Sequence, residues 1–201
     1  MKHYYQDSST TIYHGDSREV LPALESEYIN CCVTSPPYWG LRDYGHDKQM
    51  GLEQTPEEYI AGMQSVFSEV FRILRDDGTL WLNIGDCYHS GDRGGYRNDA
   101  HRWEKSELQK GNRGNAETIR PNRLRQEGLK DKDLVGIPWM LAFALRSDGW
   151  YLRSDIIWSK PNPMPESVTD RPTKSHEYIF LMSKSGQYFY DAASRCLVHD
   201  R

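Results

Sequence analysis

The run Tyr28-Ile29-Asn30-Cys31-Cys32-Val33 passes directly into Thr34-Ser35-Pro36-Pro37-Tyr38. An apolar stretch of strand length that stops at two prolines reads as a buried β-strand ending in a rigid turn. Each proline fixes φ and removes a backbone N–H, so regular pairing does not continue through the pair. The carbonyls remain as acceptors at the C-terminal end of a strand, where α/β sheets bind ligands. Such a mouth suits a planar ring carrying an exocyclic NH₂ group. Ser35 Oγ and the Pro36 carbonyl each accept one amine proton, and Tyr38 stacks on the ring.

The flanking pattern alternates helix and strand. Residues 11–14 read as a short strand closed by Gly15-Asp16, and Ser17 as the cap of a short helix carrying Val20, Leu21 and Leu24. The clearest helix covers 56–75. Thr55 is its N-cap, Pro56 its first residue and Glu58 the third member of a capping box. Tyr59, Met63, Val66, Phe67, Val70, Phe71 and Leu74 recur at helical spacing. Gly78 is expected in a turn, with a strand from Thr79 to Ile84 ending at Gly85-Asp86.

Pro138 opens a helix reaching Arg146, with Gly149 past its end. Strands are expected over 150–159, 177–183 and 187–190. The Pro-rich stretch Lys160-Pro161-Asn162-Pro163 lies at the C-terminal end of the first of these. The alternation predicts an α/β sandwich with a mostly parallel sheet, and the late strands, with no helix between them, an antiparallel edge.

Residues 87–130 break the pattern and read as a basic loop or insertion. Residues 92–130 hold ten Lys/Arg against six Asp/Glu, within a chain whose net charge is −4. A local positive patch governs phosphate binding more than the total does. With 37% hydrophobic residues, six Trp and thirteen Tyr, 201 residues suffice for one domain with a core. No stretch is long and apolar enough to span a membrane, and Met1-Lys2-His3-Tyr4-Tyr5 is not a signal region, so a cytoplasmic location is expected. Cys31, Cys32, Cys87 and Cys196 lack C-x-x-C spacing and read as small packing residues, not a metal site or disulfide framework.

Thr34-Ser35-Pro36-Pro37-Tyr38-Trp39-Gly40-Leu41-Arg42-Asp43-Tyr44-Gly45 closely resembles motif IV of the amino-methylating DNA methyltransferases, S/D/N-P-P-Y/F/W. Those N4-cytosine and N6-adenine enzymes occur in restriction–modification systems and phages. The resemblance implies a Rossmann-like sandwich, S-adenosylmethionine as cofactor and double-stranded DNA as partner. It places Ser35, Pro36, Pro37 and Tyr38 in catalysis. Asp16 and Thr34 fall on the cofactor side, Asp16 as the acid that contacts the adenine amine, although a helix N-cap explains Asp16 equally well. Trp39, Arg42, Arg93, Arg97, Arg113, Arg120, Lys160 and Asn162 are the candidate DNA contacts. Packing under the loop accounts for Trp39 as readily as stacking does, and a rigid connection accounts for the Lys160–Asn162 loop. Ser before Pro-Pro-Tyr leans toward cytosine N4 over adenine N6.

Only 34 residues precede Ser35, and no Gly-x-Gly turn follows any predicted strand. The arrangement resembles the β-class, circularly permuted enzymes, whose glycine motif follows the catalytic loop. The expectation is therefore an N-terminal portion of a longer enzyme, with an incomplete cleft flanked by the strands at 11–15 and 28–34 on one sheet edge, and weak cofactor binding by these residues alone. No Pro-Cys pair is present, which disfavours C5-cytosine chemistry. Two alternatives stand: an RNA or protein amino-methyltransferase, whose glycine motif lies upstream, and a non-catalytic DNA-binding fragment. A glycine motif downstream in the parent gene separates the last from an enzyme.

Overall fold

A computed structural model describes residues 3–46, 48–89, 128–163, 165–166 and 168–191. Its centre is a four-stranded mixed sheet in the order β3-β4-β6-β5, formed by Ile29–Thr34, Leu74–Ile84, His176–Ser183 and Tyr151–Ser159 respectively. β3 and β4 run parallel. β6 is antiparallel to both β4 and β5, so the antiparallel part extends further than the edge pair expected. The fold is a Rossmann-like α/β sheet with helices packed on it.

A parallel β3–β4 pair needs a crossover, and helix α2, Pro56–Ile73, supplies it. Thr55 Oγ1 accepts from the Glu58 N–H at 3.1 Å and Glu58 Oε2 from the Thr55 N–H at 3.3 Å, which forms the expected capping box. Tyr59, Ile60, Met63, Phe67 and Val70 of α2 meet Leu80, Leu82 and Ile84 of β4 and Phe180 and Met182 of β6 in the core. Helix α3, Ile137–Ser147, adds Leu141, Ala142 and Leu145 to the same core. Trp139 makes edge contacts with Tyr178 and Phe180, and Phe71 with Trp150.

Partners in register share a sheet face. The face opposite the core therefore carries Val33, Trp81 and Leu181 in one row, and Asn83, Ile179 and Ile156 in the next. It is open on the β3 side, where Val33 is 78% exposed, whereas Leu181 on β6 is buried.

Several expectations change. The strand near residue 11 is not in this sheet. β2, Thr11–Ile12, pairs only with β1, Tyr5–Gln6, in a two-stranded hairpin, so it does not flank a cleft with β3. Asp16, not Ser17, caps α1, Ser17–Val20. Among the described residues β3 lies at the edge of the sheet, where Cys31 is exposed while Cys32 reaches the core. A continuous apolar run reads as buried at an edge and at a centre alike, because only the pairing partners distinguish the two.

Helix α2 ends at Ile73 and β4 starts at once. The register jumps between Ile29, opposite Leu74, and Cys31, opposite Thr79, so the turn expected at Gly78 is absorbed as a bulge within the strand. Residues 187–190 are not a strand, although the Phe189 N–H bonds to the Asp77 carbonyl at 3.1 Å. Most of the basic insertion, with Arg93, Arg97, Arg113 and Arg120, lies outside the described residues, as does Cys196.

Thr55→Ala removes the acceptor for one helix N–H and should lower unfolding free energy by about 1 kcal/mol in urea titration with the slope unchanged.

Candidate active site

Because β3, β4 and β5 point the same way and β6 the other, the C-terminal ends of three strands meet the start of β6 at one sheet edge. Ser35 follows β3, Asn83 and Gly85 lie at the end of β4, Lys160 follows β5, and Glu177 is the second residue of β6. The Lys160 N–H bonds to the Ser175 carbonyl at 2.8 Å and ties the β5 end to the entry of β6.

Tyr38 is the hub. Its hydroxyl lies 2.9 Å from Asn83 Oδ1 and 3.1 Å from Glu177 Oε2. Ser35 Oγ lies 3.2 Å from the Tyr38 hydroxyl and 3.3 Å from Asn83 Oδ1. Asn83 Nδ2 donates to the Tyr178 carbonyl at 3.1 Å and to Glu177 Oε2 at 3.3 Å. Lys160 Nζ pairs with Glu177 Oε1 and sits 5.2 Å from the centre of the Trp158 ring.

The electrostatics follow from this network. Burial works to raise the Glu177 pKa, but the hydrogen bonds from Lys160, Asn83 and Tyr38 outweigh it, so the carboxyl is held below its ordinary value and ionised. Burial pushes the Tyr38 phenol up, and the neighbouring Glu177 charge adds to it against the lowering effect of Ser35. The phenol therefore stays neutral and keeps its proton.

The Pro-Pro turn is anchored from below. Tyr59, fully buried on α2, donates its hydroxyl to the Pro37 carbonyl at 2.8 Å. That leaves the Pro36 carbonyl without a hydrogen-bond donor among the described residues, and Ser35 is exposed beside it. The loop after Tyr38 closes through the Gly40 N–H to the Gly51 carbonyl at 2.7 Å. Gly51 has φ of +96°, and a Cβ there would lie 2.9 Å from the Tyr38 carbonyl, so glycine is required. Trp39 points inward: its indole N–H bonds to the Glu53 carbonyl at 3.0 Å and it packs on the core. Packing, not base stacking, is what this geometry supports for Trp39.

At the end of β4, Asp86 accepts from the Gly136 and Ile137 N–H groups at 2.9 Å and 3.1 Å. Those donors open α3, whose own N-cap, Gly136, has no side chain to offer. A carboxylate distant in sequence thus caps the helix.

The other expected residues scatter. Asp16 is taken by Arg18, whose side chain and backbone N–H both bond to it and hold its pKa at about 2. Thr34 ends β3 and Arg42 is exposed. Lys160 is engaged by Glu177, and Asn162 is exposed in a bend. Asn83, Glu177, Tyr59, Gly85 and Asp86 were not singled out as site residues by sequence reasoning. Asn83 reads as an ordinary strand position marked only by its place near a strand end, whereas Glu177 closes the stretch Arg171–Glu177, which resembles a segment of the amino-methyltransferase family.

The sequence matches the DNA methylase family N6_N4_Mtase over residues 29–199. The chain belongs to this DNA methylase family. It is 54% identical over 184 residues to the Type II methyltransferase M.Cfr9I of Citrobacter freundii, covering 92% of this chain and 57% of that protein. It is 55% identical over 183 residues to the Type II methyltransferase M.SmaI of Serratia marcescens, covering 91% and 59%. The chain thus spans less than two thirds of the length of these relatives. Among solved structures it resembles the cytosine-N4-specific PvuII DNA methyltransferase with a TM-score of 0.61 at 17% identity, covering 94% of this chain and 54% of that one. It also resembles a Thermus thermophilus protein solved in complex with S-adenosyl-L-methionine, with a TM-score of 0.55 at 22% identity, covering 89% and 55%. Both likenesses carry the fold.

Gly85 seats the Tyr38 ring, since a Cβ there would lie 2.5 Å from Cε2 and 2.8 Å from Cδ2. Gly85→Ala should push the ring away by about 1 Å, the shortfall from an ordinary carbon–carbon contact. A crystal structure of the variant should show the Tyr38–Asn83 bond broken with α2 and β4 in place.

Proposed function

We propose that the protein to which these residues belong transfers a methyl group from S-adenosylmethionine to the exocyclic amine of a base flipped out of double-stranded DNA, cytosine N4 in preference to adenine N6. The observation that carries this reading is the pair of free acceptors, Ser35 Oγ and the Pro36 carbonyl, on a turn held rigid by Tyr59 and Tyr38. The cytosine preference rests on Ser at position 35 and on the specificity of the PvuII neighbour.

An exocyclic amine is a poor nucleophile because its lone pair is delocalised into the ring. Two acceptors on its protons favour a pyramidal nitrogen and free that lone pair. The gain is positioning plus electrostatics at developing charge, roughly 2–4 kcal/mol for each well-placed bond. The acceptors are presented by backbone and by a short side chain, so little reorganisation accompanies the reaction. A base inside a duplex must leave the stack to reach them, at a cost of a few kcal/mol. Stacking on Tyr38 returns about 1–3 kcal/mol.

The cofactor supplies an electrophilic methyl on a sulfonium. The described residues suit the amine side of the site and do not by themselves form a cradle for the cofactor. No glycine-rich turn follows any described strand, and the Asp16 carboxylate is already bound by Arg18. We place that cradle in the part of the relatives' length that has no counterpart here. Within this reading, residues 1–201 are a portion of a catalytic domain and residues 87–130 a basic insertion that holds DNA by its phosphates. A cytoplasmic location goes with the reading; among the described residues no helix is long and apolar enough to cross a membrane.

In the full-length protein, Tyr38→Ala should cut methylation of duplex DNA at least tenfold while the thermal unfolding cooperativity is kept. Wild-type turnover in that variant would sink the assignment. Neutralising Arg93, Arg97, Arg113 and Arg120 together should flatten the slope of log affinity against log salt by up to about 3–4. An unchanged slope would take the insertion off the phosphates.

A further inference from the structure

The hydrogen bonds around Tyr38 have a direction. The Tyr178 carbonyl can only accept, so Asn83 turns Nδ2 toward it and Oδ1 toward Tyr38 and Ser35. Glu177, ionised, can only accept as well. The Tyr38 hydroxyl thus meets two acceptors, at 2.9 Å and 3.1 Å, with a single proton to give. Ser35 meets the phenol oxygen and Asn83 Oδ1 with one proton of its own.

Every placement of these two protons within the cluster gives the same result at the surface, as two of them show. If the phenol donates to Asn83, Ser35 donates to the phenol oxygen. If the phenol donates to Glu177, Ser35 donates to Asn83. In each, the Ser35 proton points inward and its lone pairs face the mouth of the sheet.

We infer that Glu177 is a positioning residue that acts through Tyr38 to hold Ser35 Oγ as an obligate acceptor for the amine. Lys160 is part of the device. It occupies Oε1 and balances the charge, so that Oε2 is the oxygen left for Tyr38 and Asn83. This gives the phenol of Tyr38 a role that the Phe and Trp forms of the motif lack, and it gives Lys160 an internal role in place of a phosphate contact. The inference rests on the amine-acceptor role of Ser35 proposed above.

Glu177→Gln tests the polarity with little change of shape. Lys160 claims the amide oxygen, so an NH₂ group replaces Oε2 and faces the phenol and Asn83 Nδ2 as a donor. The phenol proton stays on Asn83 Oδ1, but the new NH₂ group competes with Ser35 for the phenol oxygen, which frees the Ser35 proton to turn outward. In the full-length protein this variant should lose about 100-fold in kcat with KM for duplex DNA unchanged. Tyr38→Phe cuts the link from the other side and should also lower kcat at constant KM. Glu177→Gln added to Tyr38→Phe should then cost less than about twofold further, since coupled groups are not additive.

A second readout needs neither cofactor nor DNA. The Tyr38 ¹³Cζ resonance, identified as the one missing from Tyr38→Phe, should titrate at lower pH in Glu177→Gln, because the adjacent negative charge is gone. A shifted midpoint with reduced kcat supports the inference. An unshifted midpoint, or a wild-type kcat in either single variant of an active enzyme, overturns it. A shifted midpoint in a wild-type protein that methylates no DNA removes the methyltransferase reading and leaves the Glu177–Tyr38 link standing. If Glu177→Gln does not fold, Tyr38→Phe with a wild-type kcat is the result that overturns the inference.

Discussion

The hydrogen bonds shared by Tyr38, Asn83 and Glu177 tie the loop after β3 to neighbouring strands at one end of the sheet. Tyr38 follows β3, Asn83 belongs to β4 and Glu177 to β6, and Lys160 brings in the end of β5. Backbone pairing already aligns β4, β5 and β6 through Asn83 and Glu177. The polar cluster adds the loop after β3 to that aligned edge. It works because its members are only partly buried: an ionised carboxylate with an ammonium partner and amide donors meets its hydrogen-bonding needs without the full desolvation cost of a core charge.

Around that cluster the turn is built in layers. Tyr59 supports the Pro37 carbonyl from the helix below, Gly85 makes room for the Tyr38 ring, and Gly51 lets the returning loop pass over the Tyr38 carbonyl. Asp86, one residue beyond Gly85, caps α3 and so couples the helix to the same strand end. The acceptors at the surface are therefore placed by rigid elements, as a preorganised site requires. Among the described residues, the exposed Val33 and the unpaired edge of β3 lie beside this half of a site.

Local signals were strong wherever a residue pattern acts over one or two turns. The capping box of Thr55 and Glu58, the helical recurrence from Tyr59 to Val70, and the strand running into Pro36-Pro37 all depend on neighbours in sequence, and all appear in the structure. The family was readable for the same reason: the Ser35–Tyr38 loop is continuous, and its chemistry is carried by contiguous atoms. Expectations failed where pairing is long-range. A short strand at residue 11 carries no mark of which sheet it joins, and it joins a hairpin with β1. An apolar run such as 28–33 looks the same at an edge as at a centre, and only its neighbours decide.

The sequence by itself determined the helices, the strand before the prolines, the identity of the reacting loop and its family, because each is specified by steric and hydrogen-bonding preferences of adjacent residues. Tertiary structure alone decided which groups stand behind that loop. Glu177 lies 139 positions from Tyr38 and Asn83 lies 45 positions away. Asn83 has no periodicity or motif that marks it, and the family-like stretch ending at Glu177 does not say that its carboxylate faces Tyr38. Both residues meet Tyr38 because β6 runs antiparallel to β4 and starts where β4 ends, a register that puts Leu80, Leu82, Phe180 and Met182 together in the core. That register brings the carboxylate to the phenol.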